Sequence, residues 1–216
     1  MSDTAYFVSP PAGPGPGVLL LHSWWGLTPF FRRFADRLSE RGYTVLAPDL
    51  NEGETFVEAD DARDHLASLE PDRLAALTLT SAGIVRDKSA DPQAPIAVVG
   101  FSMGASLGLW ASVRAPEHIS KVAAFYGVQS IDFAGSESRY QLHLAEDDPL
   151  VSGDDAAFME ATMGMEALAV EVHRYPGTSH FFFEGDQDEY DEAASGVAWA
   201  RLLEFLADEA GTVNPS

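Results

Sequence analysis

"PIAVVGFSMGASLGLWASVRA", residues 95–115, decides the fold. Its first seven residues form an unbroken apolar run, the pattern of a short strand covered on both faces. From Gly104 the pattern becomes that of a helix rich in small and apolar residues. Between the two lies Gly100-Phe101-Ser102-Met103-Gly104, a G-x-S-x-G pentapeptide. Such a pentapeptide alone is weak; between a buried strand and a helix it carries more. There a tight, strained turn lifts the serine hydroxyl above the sheet edge, and the flanking glycines supply the minimal side chains it needs. Ser102 is read as a nucleophile.

The same alternation spreads in both directions. Upstream, "GVLLLH" (17–22) reads as a buried strand, and "TPFFRRFADRLSERG" (28–42) as a helix with Thr28 at its N-cap and Pro29 in its first turn. "YTVLAPD" (43–49) is a further strand, and "PDRLAALTLTSAGIVRD" (71–87) a helix. Downstream, "KVAAFYG" and "YQLHLAE" are strands, "GDDAAFMEATMG" a helix, "LAVEVHRYPG" a strand and "DEAASGVAWARLLEFLAD" a closing helix. Strands alternating with helices predict an α/β fold, a mostly parallel central sheet with helices on both faces. Chemistry then belongs in the loops beyond the carboxyl ends of the strands.

A serine hydroxyl needs a base, and the base an orienting carboxylate. In this topology they follow in the order Ser, acid, His. Strand 140–145 ends in Glu146, Asp147 and Asp148 before Pro149, and the turn into Pro-Leu-Val aims one carboxylate inward. Asp148 is the choice and Asp147 its rival. His180 follows the last strand through a Pro-Gly turn and is the general base. His65 and His118 belong to helix or helix-end surface, His143 and His173 to strands. His22 and Ser23, adjacent in "LLLHSWWGL" (19–27), point in divergent directions and precede the nucleophile, so they are not a second nucleophile–base pair. Their loop instead suits an oxyanion hole, with the backbone N–H of Trp24 joining that of Met103. Ser23, Trp25, Phe181 and Phe182 are expected around the substrate, with at least one phenylalanine of "FFF" (181–183) packing the core.

Composition bounds what such a site serves. The 216 residues, 46% hydrophobic, suit one domain over 1–216, with a Pro/Gly-rich loop at 10–17 and a frayed tail at 209–216. No apolar run is long enough to span a bilayer, and the N-terminal residues lack a secretory pattern, so a cytoplasmic location is expected. The absence of cysteine excludes disulfides and thiolate chemistry. No cluster has metal-ligand spacing, and no metal or cofactor is expected. A net charge of −21 repels nucleic acid and anionic lipid, leaving a small-molecule partner for a monomer or small homo-oligomer.

"HSWWGL", "RGYTVLAPDL", "VVGFSMGASL", "AAFYGV", "AEDDPLV" and "YPGTSHFF" together resemble the dienelactone hydrolase family of α/β-hydrolases, over roughly 18–206. The resemblance implies an α/β-hydrolase fold and the triad Ser102, Asp148 and His180; no insertion is long enough for a lid domain. Members with dienelactone activity carry cysteine in place of Ser102, glutamate in place of Ser23, and a substrate-binding arginine in place of Glu184. These departures argue against a small anionic lactone and for neutral esters or lactones cleaved through an acyl-enzyme. The alternatives are thioester hydrolysis or acyl transfer by the same triad, and a catalytically silent binding module.

Overall fold

A computed structural model describes residues 5–208. Its elements run β1 (Ala5–Val8), β2 (Gly17–Leu21), α1 (Pro29–Glu40), β3 (Thr44–Pro48), α2 (Ala59–Ser68), α3 (Pro71–Asp87), β4 (Ile96–Phe101), α4 (Met103–Arg114), β5 (Ile119–Phe125), β6 (Arg139–Ala145), α5 (Gly153–Met165), β7 (Val170–Tyr175) and α6 (Glu192–Ala207). Seven strands form one sheet in the order β1-β3-β2-β4-β5-β6-β7, with only β1 antiparallel to its neighbour. This is the mostly parallel sheet that the alternation of strands and helices predicts, and the α/β-hydrolase architecture that the family resemblance implies.

Side-chain alternation along the strands feeds two cores, one on each face of the sheet. Val18, Leu20, Val99, Phe101, Ala123 and Phe125 join Phe30, Phe31 and Phe34 of α1 and Leu202 and Phe205 of α6. Leu19, Leu21, Val98, Val122 and Ala124 join Val85 of α3, Leu109 of α4 and Met159 of α5. Strands buried on both sides have no polar face to alternate, which is why they read as continuous apolar runs.

Two local expectations change. The segment between β3 and α3, expected only to carry His65 on helix surface, forms a complete helix, α2, whose bounds its acidic, weakly periodic sequence does not mark. Thr28 stands at the N-cap of α1 but does not cap it; its hydroxyl donates to Asp186 Oδ2 at 2.8 Å instead. The proposed tail at 209–216 lies outside the described residues.

Candidate active site

β4 and α4 meet at Ser102, whose φ of 51° puts a non-glycine residue in the left-handed region. The surroundings enforce the turn. A Cβ on Gly100 would sit 2.4 Å from the Gly104 carbonyl oxygen, and one on Gly104 would sit 2.3 Å from that of Leu21. The Ser102 N–H donates to Phe125 O at 2.9 Å, tying the turn to β5. Both glycines are therefore demanded by close backbone approach, and the second presses α4 onto the end of β2.

Ser102 Oγ lies 2.8 Å from His180 Nε2, and His180 Nδ1 lies 2.8 Å from Asp148 Oδ2. Asp148 is fixed in turn, because its Oδ1 accepts from the N–H groups of Leu150 (2.8 Å) and Val151 (2.9 Å). The His180 and Asp148 side chains are only 3% and 5% exposed, so their pairing is shielded from water. Asp147 is exposed and uses its backbone N–H, donating to Thr178 O at 2.9 Å. Three residues distant in sequence thus meet in hydroxyl–imidazole–carboxylate order. The arrangement can deprotonate the serine as it attacks a carbonyl, because imidazolium formation is balanced by the adjoining carboxylate.

The loop after β2 is locked from several directions. His22 is buried, and burial lowers its pKa to about 4, so it is neutral at ordinary pH. Its Nε2 accepts from the Leu50 N–H at 2.9 Å, leaving Nδ1 to donate to Ser23 O at 2.7 Å. Gly26 N–H also donates to Ser23 O, at 3.2 Å. In a trans peptide the N–H points opposite to the carbonyl, so these two bonds fix the direction of the Trp24 N–H. Asn51 Nδ2 donates to Trp24 O at 2.7 Å and holds the next peptide. Met103, the first residue of α4, has an N–H with no intrahelical acceptor. His22 and Ser23 do not pair as base and nucleophile: the Ser23 hydroxyl donates to Glu184 Oε2 at 2.8 Å.

A cavity of about 600 Å³ opens beside His180. Trp24, Trp25 and Phe181 line it, with ring centroids 5.3–5.6 Å apart. Of the other residues expected there, Ser23 and Phe182 are not part of the lining; both are fully buried. Phe182 packs on Tyr126 and Tyr175, and Phe183 on Phe101 and Phe125, so two phenylalanines of the run serve the core. The α2 region adds Phe56, Glu58 and Arg63 to the wall, none of them anticipated. Arg63 faces the Trp24 ring at 5.8 Å and donates to Asp60 at 2.6 Å.

Tyr126 was missed as well, and Glu184, noted only as a departure from the family's arginine, has an unforeseen place. Both are fully buried, and the Tyr126 hydroxyl donates to Glu184 Oε1 at 2.9 Å. Burial raises the Glu184 pKa to about 8, against the opposing hydrogen bonds from Ser23 and Tyr126; Asp186 and Glu189 raise it further. The same burial, with Glu184 beside it, holds the Tyr126 phenol well above its usual value. Neither role could be read in advance, since the bond partners lie far apart in the chain.

Comparison with known proteins agrees with this architecture. The profile of the dienelactone hydrolase family matches residues 4–210. The chain is 26% identical to protein usf of Aquifex pyrophilus, over 94% of this chain and 92% of the relative. It is 27% identical to carboxymethylenebutenolidase 1 of Cupriavidus pinatubonensis, over 94% and 90%. The solved structure of a dienelactone hydrolase-like promiscuous phosphotriesterase from metagenomic libraries superimposes with a TM-score of 0.79 at 19% identity, covering 94% of this chain and 90% of that one.

Proposed function

Because the chain belongs to the dienelactone hydrolase family, we propose that it hydrolyses small to medium neutral carboxylic esters or lactones with Ser102 as nucleophile. The reading takes the chain as a single domain acting on a small molecule in the cytoplasm. No described helix is long and apolar enough to cross a membrane. The observation that carries the proposal is the pair of 2.8 Å contacts linking Ser102, His180 and Asp148.

His180 Nε2 takes the Ser102 proton as Oγ attacks the ester carbonyl, and Asp148 holds the Nδ1–H tautomer and balances the imidazolium. The N–H groups of Trp24 and Met103 receive the oxyanion, a contribution of about 3 kcal/mol per donor in comparable sites. Collapse of the tetrahedral intermediate passes the proton from His180 to the departing alkoxide and leaves an acyl-Ser102 ester. Water, deprotonated by His180, then releases the acid and restores the hydroxyl.

The preference for neutral substrates rests on the cavity. Glu58, Asp186, Asp188 and Glu189 line it against, among the described residues, a single cation, Arg63, which Asp60 already engages. A net charge of −21 adds to the repulsion of an anionic acid group. The aromatic wall of Trp24, Trp25 and Phe181 instead offers apolar contact to an acyl chain. Arg63 is the one observation favouring a second reading, an anionic lactone held through its guanidinium.

Rapid mixing with p-nitrophenyl acetate tests the proposal. The expected result is a stoichiometric burst of p-nitrophenol with an acetyl adduct in the intact mass, both lost in Ser102→Ala. A burst or adduct that survives in Ser102→Ala overturns it.

A further inference from the structure

We propose that Glu184 is a positioning residue for ester hydrolysis, its carboxyl group joining the oxyanion loop to the loop that carries the base. The inference rests on the reading of Ser102 and His180 given above. Glu184 lies within a chain segment that also holds His180, and it reaches two other elements. One oxygen takes the Ser23 hydroxyl at 2.8 Å, and Ser23 immediately precedes the proposed oxyanion donor Trp24. The other takes the Tyr126 hydroxyl at 2.9 Å. The Tyr126 ring lies 4.9 Å from the His180 ring, and the Tyr126 N–H donates to His143 O at 2.7 Å at the end of the sheet.

Each contact has a direct mechanical meaning. The N–H of Trp24 belongs to the peptide that begins at the Ser23 carbonyl, so anchoring Ser23 limits the position of that N–H. Tyr126 occupies strained backbone with φ of 38°, a conformation that persists only where several contacts determine it. The hydrogen bond to Glu184 is one of these, and the ring so placed backs the imidazole. Phe181, next to His180, also has positive φ, 58°, and its backbone oxygen accepts the Glu184 N–H at 2.8 Å. Glu184 therefore braces the base and the oxyanion donor at once, without touching the cavity.

A fully buried carboxyl is costly, and a hydrophobic residue of its volume would pack there more cheaply. The Ser23 and Tyr126 hydroxyls, however, need a partner, and either carboxyl form supplies one, since each hydroxyl both donates and accepts. Glutamine meets the same requirement; alanine does not.

The test is kcat and KM for p-nitrophenyl butyrate in wild type, Glu184→Ala, Glu184→Gln, Ser23→Ala and Tyr126→Phe, normalised to the fraction of Ser102 that reacts with a fluorophosphonate. The expected result is a fall in kcat of about tenfold in Glu184→Ala with KM little changed, and recovery to within about threefold in Glu184→Gln. Ser23→Ala combined with Glu184→Ala should cost no more than Glu184→Ala alone. If Glu184→Ala does not fold, lowered kcat in both Ser23→Ala and Tyr126→Phe supports the proposal, and wild-type kcat in either overturns it. Wild-type kcat per reactive site in Glu184→Ala, a loss confined to KM, or failure of glutamine to rescue also overturns it. Activity remaining in Ser102→Ala would instead overturn the underlying hydrolase reading.

Discussion

The Ser23 hydroxyl donates to Glu184 Oε2 at 2.8 Å, across 161 positions of sequence. These are the two positions at which the chain departs from the glutamate and arginine that its family resemblance implies. The structure places them in direct contact, so the two departures concern one local arrangement. A carboxyl group is present here after all, but it arrives from the His180 loop, fully buried and outside the lining of the cavity.

That buried carboxyl should make stability depend on pH in a defined direction. The Glu184 pKa is raised from 4.5 to about 8, so the folded protein holds a proton that the unfolded chain releases. Its contribution is fully present below about 4.5 and is lost as pH rises toward about 8. Thermal melts of wild type should show a Tm that falls across this window relative to Glu184→Gln, which carries no such group. Parallel Tm curves for the two proteins would contradict the assignment.

Asp148 and Asp147 are neighbours with different environments, and substitution should separate them. Asp148→Asn replaces an Nδ1–H acceptor by an amide and favours the wrong imidazole tautomer; kcat should fall by about 10³–10⁴. Asp147→Asn alters an exposed side chain whose backbone makes the structural bond. Its kcat should stay within about twofold of wild type. Steady-state kinetics on one ester suffices, and comparable losses in both variants would count against the assignment of the acid.

Gly104→Ala should disable the site through the backbone. The added Cβ would meet the Leu21 carbonyl oxygen at 2.3 Å, and backbone cannot yield as a side-chain tip would. Separation of α4 from β2 would move Met103 away from Trp24. The expected outcome is a lower Tm together with loss of fluorophosphonate labelling at Ser102. Wild-type labelling by this variant would show that the close approach is dispensable.

Charge around the cavity predicts substrate preference. The kcat/KM for a neutral p-nitrophenyl butyrate should exceed that for the p-nitrophenyl monoester of succinic acid by at least about tenfold at low salt. Added salt should narrow the gap, because the repulsion from Glu58, Asp186, Asp188 and Glu189 is screened. Arg63→Ala should leave the neutral ester little affected. Preference for the anionic ester, lost in Arg63→Ala, would instead establish the reading built on that arginine.

What was legible in the sequence follows physical lines. Strands buried on both faces announce themselves as apolar runs, and the strand–GFSMG–helix junction locates Ser102 because a tight turn restricts the side chains around it. His180 and Asp148 follow from chain order, since loops after successive parallel strands gather on one edge. α2 was glimpsed only in the helix surface assigned to His65, and its bounds escaped notice because its charged sequence presents only Ala62 as a buried residue. Ser23 and Phe182, expected at the substrate, lie within the core, because direction at a strand end depends on turns that sequence does not specify. Glu184 and Tyr126 could not be paired in advance, since a single carboxyl in an acidic chain gives no local sign of burial.

The central claim is that Ser102 is the nucleophile, and the most direct measurement is peptide mapping of the protein after reaction with a fluorophosphonate. The account predicts one adduct, on Ser102, present in Ser23→Ala and absent in Ser102→Ala. An adduct on another residue, or rapid ester turnover by protein that acquires no adduct, would contradict it.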